Sequence, residues 1–169
     1  MVLGSPKQRN VMPGHTPEET WDWTVEVFRD SALVAEGQGV TLCVEALQPN
    51  LTNFVNTLSE AARLVEEVGH PNLQFMLDVC SASAAEDEPV DALVRKFAPL
   101  LRHVHVNDAN GRGPGFGDVD FVPILGALVD AGYEGFASIE VFDFKPDPET
   151  IARDSLSYLR KCLSGTASR

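Results

Sequence analysis

The strongest constraint on this chain is an alternation. Short apolar runs at 40–45, 73–77, 101–106 and 136–139 are separated by amphipathic stretches. Run 73–77 is almost continuously apolar, as strands buried on both faces of a parallel sheet are. The unit of strand plus helix repeats every 30–35 residues or so, the usual size of a strand-helix-strand module. Such modules join their strands in parallel, so the strand C-termini share one face, where ligands bind. Glu45, Asp78, His105 and Glu140 all fall at or near those ends.

The connecting stretches carry helix signals. Thr16-Pro17-Glu18-Glu19 reads as a capping Thr, a Pro at the first helical position and a Glu three residues after the cap. Residues 59–68 form an amphipathic helix stopped by Gly69, and 91–98 a shorter one. A further helix spans 121–131. The last opens at Asp147-Pro148-Glu149 and runs to about Cys162, with a frayed tail at 164–169. The 169 residues, 44% of them hydrophobic, suffice for one domain with a sizeable core. A full (β/α)8 barrel needs about 250 residues. Only four firm strands and a possible stub at Met1-Val2-Leu3 are present. The sheet is therefore either open or the C-terminal part of a larger barrel.

Composition narrows the partners. A formal net charge of −12 opposes nucleic acid, which is met by basic patches. Cys43, Cys80 and Cys162 are isolated and odd in number, so a disulfide framework or zinc ribbon is not expected. A reducing, cytoplasmic setting fits. The N-terminus has no apolar signal core, and no run approaches the ~20 residues of a membrane span, so no membrane partner is expected.

Carboxylates with one imidazole suit Mn²⁺ or Mg²⁺, with Co²⁺ or a catalytic Zn²⁺ also compatible. A lone acid at a strand end is more often a helix cap. Four at successive strand ends point to a divalent-cation site. His103 and His105, two apart on one strand, share a face. His105, nearer the strand end, is the expected ligand; His103 is an inward-facing neighbour and candidate substrate contact. His70 follows a helix stop at the opposite face and reads as structural, and His15 has no evident role. The loop 107–118 is rich in glycine, which permits close backbone approach to a ligand. Its one cation, Arg112, is placed to clamp a carboxylate, phosphate or enediolate oxygen. The loop lacks the G-x-G-x-x-G spacing of a dinucleotide site.

Val44-Glu45-Ala46-Leu47, Val68-Gly69-His70-Pro71-Asn72, Leu77-Asp78, His103-Val104-His105, Arg112-Gly113-Pro114-Gly115-Phe116-Gly117 and Ser138-Ile139-Glu140 resemble the xylose isomerase-like TIM-barrel superfamily. Within it the chain is most similar to the sugar phosphate isomerase/epimerase group. The resemblance implies an α/β fold of parallel (β/α) TIM-barrel type, here a partial barrel of about the last five βα units. The domain would span 1–163, with a flexible tail at 164–169. It also implies one divalent metal held by Glu45, Asp78, His105 and Glu140. Glu45 and Glu140 would double as the acid–base pair, and Arg112 would bind substrate. The expected activity is isomerisation or epimerisation of a small sugar or polyol. A sugar lyase or dehydratase, an abasic-site endonuclease-like phosphodiesterase or an inactive partial barrel are the alternatives. A missing N-terminal half-barrel or a homo-oligomer is the expected complement. The chain departs from the epimerases at two positions: Ser81 stands where they carry a His, and Leu51 where they carry a Glu.

Overall fold

Five parallel strands form one sheet in the order of the chain, β1 (Val2–Leu3), β2 (Leu42–Glu45), β3 (Leu73–Asp78), β4 (Leu101–Val106) and β5 (Phe136–Ile139). The computed structural model describes residues 1–166. Strand order equals sequence order because each crossover returns the chain beside the strand just left, as successive βα units do. The helices are α1 (Pro17–Gly37), α2 (Leu58–Val68), α3 (Val79–Ala85), α4 (Val90–Phe97), α5 (Phe121–Asp130) and α6 (Pro148–Thr166). Leu42, Val44, Leu73, Phe75, Leu77, Val104 and Val106 pack outward against helix residues such as Leu64, Leu93 and Ile124 in one core. The opposite face of the sheet carries Cys43, Glu45, Met76, Asp78, His103, His105 and Ser138, which register side by side across the strands. The result is half of a (β/α) barrel. Among the described residues, β1 pairs only with β2, and β5 only with β4.

The local signals act where they were read. Thr16 forms the expected reciprocal capping box with Glu19, and a second box, not read from the sequence, joins Thr57 to Glu60 at the start of α2. Gly69 ends α2 in the left-handed conformation, with its N–H on Val65 O. Two elements differ from expectation. Helix α3 follows β3 with no intervening residue, because Asp78 serves as its N-cap. Helix α6 extends to Thr166, past the expected end near Cys162. Ser164 Oγ donates back to the Arg160 and Lys161 carbonyls there. The rest of the expected tail, 167–169, lies outside the described residues.

Candidate metal centre

Parallel register brings the strand-end acids together. Asp78 on β3 lies directly opposite His105 on β4, and His105 opposite Ser138 on β5, two residues before Glu140. Glu45 closes β2 on the other side. One donor atom from each of Glu45, Asp78, His105 and Glu140 lies within 4.8 Å of all the others. His105 Nδ1 stands 2.9 Å from Glu45 Oε1, 3.1 Å from Glu140 Oε2 and 3.7 Å from Asp78 Oδ2. Glu45, Asp78 and His105 are buried, while Glu140 is half-exposed at the mouth. A cavity of about 500 Å³ opens above them. Leu51 and Ser81, the two points of departure, both line it.

Three carboxylates converging in a buried pocket repel one another unless a cation sits among them. In this arrangement the imidazolium of His105 is that cation. Burial alone would lower its pKa, but the carboxylates of Asp78, Glu140 and Glu45, all within 3.7 Å of Nδ1, push it up to about 11. Burial also raises Glu45, against the opposing effect of its bond to His105. The donor set fits a hard divalent ion: Glu45, Asp78, His105 and Glu140 would hold it, with His105 giving up its proton. The sign of the pH dependence follows. The folded pKa of His105 lies above the ~6.5 of an unfolded histidine, so its contribution to stability is complete below that value. It is lost as pH rises toward about 11. The raised Glu45 acts in the same direction. With chelator present, the thermal midpoint is expected to fall steadily from pH 6.5 upward, and more steeply than in His105→Gln. A flat profile, or equal slopes in both proteins, would remove this account of the site.

Several neighbours hold the cluster in place. Asp78 Oδ1 accepts the Ser81 N–H at 2.6 Å, and Oδ2 accepts Asn107 Nδ2 at 2.6 Å. Arg9 donates to the Glu45 and Leu3 carbonyls at 2.6 Å each, tying the ends of β1 and β2 together. Gly4 lies so close that a methyl group there would overlap Glu45 Oε2. Sequence reasoning missed Arg9 and Asn107. Asn107 had a usable signal, since it follows His105 by two residues and so continues its face of the strand. Arg9 had none.

The remaining candidates sit as follows. His103 packs its ring edge-on against His105 at 5.2 Å, and burial, with the neighbouring charge of His105, lowers its pKa. Arg112 lies outside the lining of the cavity. Its Nη2 donates to Lys145 O at 2.9 Å, its guanidinium lies 5.0 Å from the Phe116 ring centre, and its buried Nε has no hydrogen-bond partner. Two glycines of its loop serve packing inside the protein, Gly113 against Ser155 and Gly115, at φ +86°, against the Tyr158 ring of α6, while Gly111 lines the cavity. The buried Asp108 organises the same loop by accepting the Asp118 and Val119 N–H groups. His70 accepts the Asn72 N–H, away from the cluster, and His15 meets Trp23 edge to face.

The same geometry has relatives. D-psicose 3-epimerase of Ruminiclostridium cellulolyticum is 35% identical over 122 residues, covering 72% of this chain and 41% of that protein. Fructoselysine 3-epimerase of Shigella flexneri is 29% identical over 153 residues, covering 87% and 55%. The apo crystal structure of 3-keto-D-glucoside 4-epimerase from E. coli superposes with a TM-score of 0.83 at 26% identity, covering 89% of this chain and 57% of that one. The chain thus spans about half the length of the proteins it matches. The family model described as xylose isomerase-like TIM barrel matches residues 2–162. With the parallel half-barrel and the strand-end acid–histidine cluster, that match establishes that this chain belongs to the xylose isomerase-like TIM-barrel family.

Proposed function

We propose that this chain carries the metal centre of a divalent-metal-dependent isomerase or epimerase acting on a small sugar or polyol derivative. The observation that carries the reading is the convergence of Glu45, Asp78, His105 and Glu140, the three carboxylates of which line one cavity. The carboxylate-rich donor set favours Mn²⁺ or Mg²⁺. A bound divalent ion would supply Lewis acidity, lowering the cost of removing a proton next to a carbonyl. Glu45 and Glu140 approach from β2 and from just beyond β5, on opposite sides of His105. One takes the proton from the substrate carbon, and the other returns a proton to the enediolate. Burial raises the pKa of Glu45 above the ordinary carboxylate value, a shift toward holding the proton it is proposed to exchange. Arg112, whose loop neighbours Asn110 and Gly111 line the cavity, is the donor proposed to hold a substrate oxygen, and His103, against the His105 ring, is the second proposed substrate contact.

Incubation with Mn²⁺ and a panel of ketoses in D₂O tests the reading. Deuterium entering the carbon beside the carbonyl is the expected result. A dehydrated product would point to the lyase alternative, and no exchange with any ketose would remove the proposal. Cys43, Cys80 and Cys162 are all buried and unbridged, in keeping with a cytoplasmic setting. Among the described residues, no helix is long and apolar enough to cross a membrane.

The open sheet edges bear on assembly. Among the described residues, β1 and β5 each present one unpaired side, and Phe136 on the inner face of β5 is 82% exposed. Unpaired edges and exposed apolar surface favour association. The 169-residue chain is therefore expected to sediment as a dimer or larger species at micromolar concentration. A stable monomer that unfolds cooperatively would show that the half-barrel closes its own core.

A further inference from the structure

We infer that Asn107 is a positioning residue for the metal centre: its side-chain amide sets the carboxylate of Asp78 so that Oδ2 faces the cluster. This rests on the metal-centre reading above. Asn107 is fully buried just past the end of β4. Nδ2 donates to Asp78 Oδ2 at 2.6 Å, and Oδ1 accepts the Cys80 N–H at 2.8 Å. The two partners allow one amide orientation only. A backbone N–H can only donate and an ionised carboxylate can only accept, so the oxygen must face Cys80 and the nitrogen Asp78. A carboxamide meets both demands. Aspartate at this position has no proton to donate, leucine offers neither group, and serine offers a single hydroxyl on a shorter stem.

The consequence for Asp78 is specific. Its Oδ1 is committed to the Ser81 N–H at the start of α3, and one side of Oδ2 to Asn107. On Oδ2, what remains is the face turned toward His105 Nδ1, 3.7 Å away. Asp78 is thereby held with Oδ2 aimed at the cluster. Because Asn107 follows β4 and Asp78 ends β3, the same contact holds the two ligand-bearing strands in register at the site. Residues that orient metal ligands in this way typically change metal affinity by about 10- to 100-fold when replaced.

The test is Mn²⁺ binding to the full chain by calorimetry, with EPR of the bound ion, for wild type, Asn107→Leu, Asn107→Ser and Asp78→Ala. Circular dichroism monitors folding. Asn107→Leu is expected to weaken Mn²⁺ by about 10- to 100-fold and to broaden its EPR spectrum as Asp78 samples more than one orientation. Asn107→Ser should lose less, and it carries the same test if the leucine variant does not fold. A purely structural Asn107 would lower the thermal midpoint and leave the affinity of the folded protein unchanged. Both Asn107 variants binding within twofold of wild type, while Asp78→Ala loses binding, would overturn this inference alone. Wild type and Asp78→Ala binding equally, or no binding by wild type, would overturn the metal centre and the inference with it.

Discussion

Asp78→Ala and His105→Ala are each expected to weaken Mn²⁺ binding by at least about a hundredfold, more than the loss typical of a residue that only orients a ligand. Each removes one of four donors that converge within 4.8 Å, and the site has few others to offer. Cys80, near the cavity floor, bonds weakly to Ala109 O, and its pKa is raised by burial and by the charge of Asp78, so it is a poor replacement. The two variants should differ without metal. Removing the imidazolium leaves Glu45, Asp78 and Glu140 facing one another with no cation between them. His105→Ala should therefore lose thermal stability in chelator at neutral pH. Asp78→Ala instead removes one negative charge from the cluster and the cap of α3. For wild type, affinity should rise with pH, because binding must displace the proton that His105 holds. Calorimetric titrations at two pH values read both effects. Equal Mn²⁺ affinity in wild type and both variants would show that the ion, if bound, sits elsewhere.

Glu45→Gln and Glu140→Gln should each reduce solvent-proton exchange into substrate by 10²–10⁴-fold or so, the usual contribution of a positioned acid or base, with any lost metal affinity adding to it. The amide keeps the shape and one acceptor oxygen but cannot carry the proton. Glu45 should show the cleaner effect. Its side chain is buried and its strand end is held by Arg9 on its own carbonyl, so the replacement stays in position. Glu140 is half-exposed, and part of its loss should appear as weaker binding. Arg112→Ala should mainly raise the substrate concentration needed and leave Mn²⁺ affinity alone, since its guanidinium bonds to Lys145 O and not to the cluster. Rapid-quench deuterium exchange at saturating Mn²⁺ measures all three. Exchange that survives in both glutamate variants would end the two-carboxylate mechanism.

Much of this molecule was legible before folding was considered. The apolar runs, the capping box at Thr16 and the stop at Gly69 depend on neighbours within four residues. They were therefore readable from local periodicity and cap chemistry. The strand-end positions of Glu45, Asp78, His105 and Glu140 followed from the same pattern, because parallel strands share one C-terminal face.

Tertiary structure decided the rest. The facing of Asp78 and His105 depends on the β3–β4 register, which includes a shift between Phe75 and Met76 with no local signature. The start of α3 depends on Asp78 acting as cap and cluster member at once, two roles that sequence reading treated as alternatives. Of the loop glycines, read as allowing close approach to a ligand, Gly111 lines the cavity, whereas Gly113 and Gly115 admit close packing against α6, more than 35 residues downstream. Arg9 and Asn107 act on residues 36 and 29 positions away. Periodicity reports which face of an element is buried. It does not report which distant polar group will meet it there, and that pairing is set only when the strands have docked side by side.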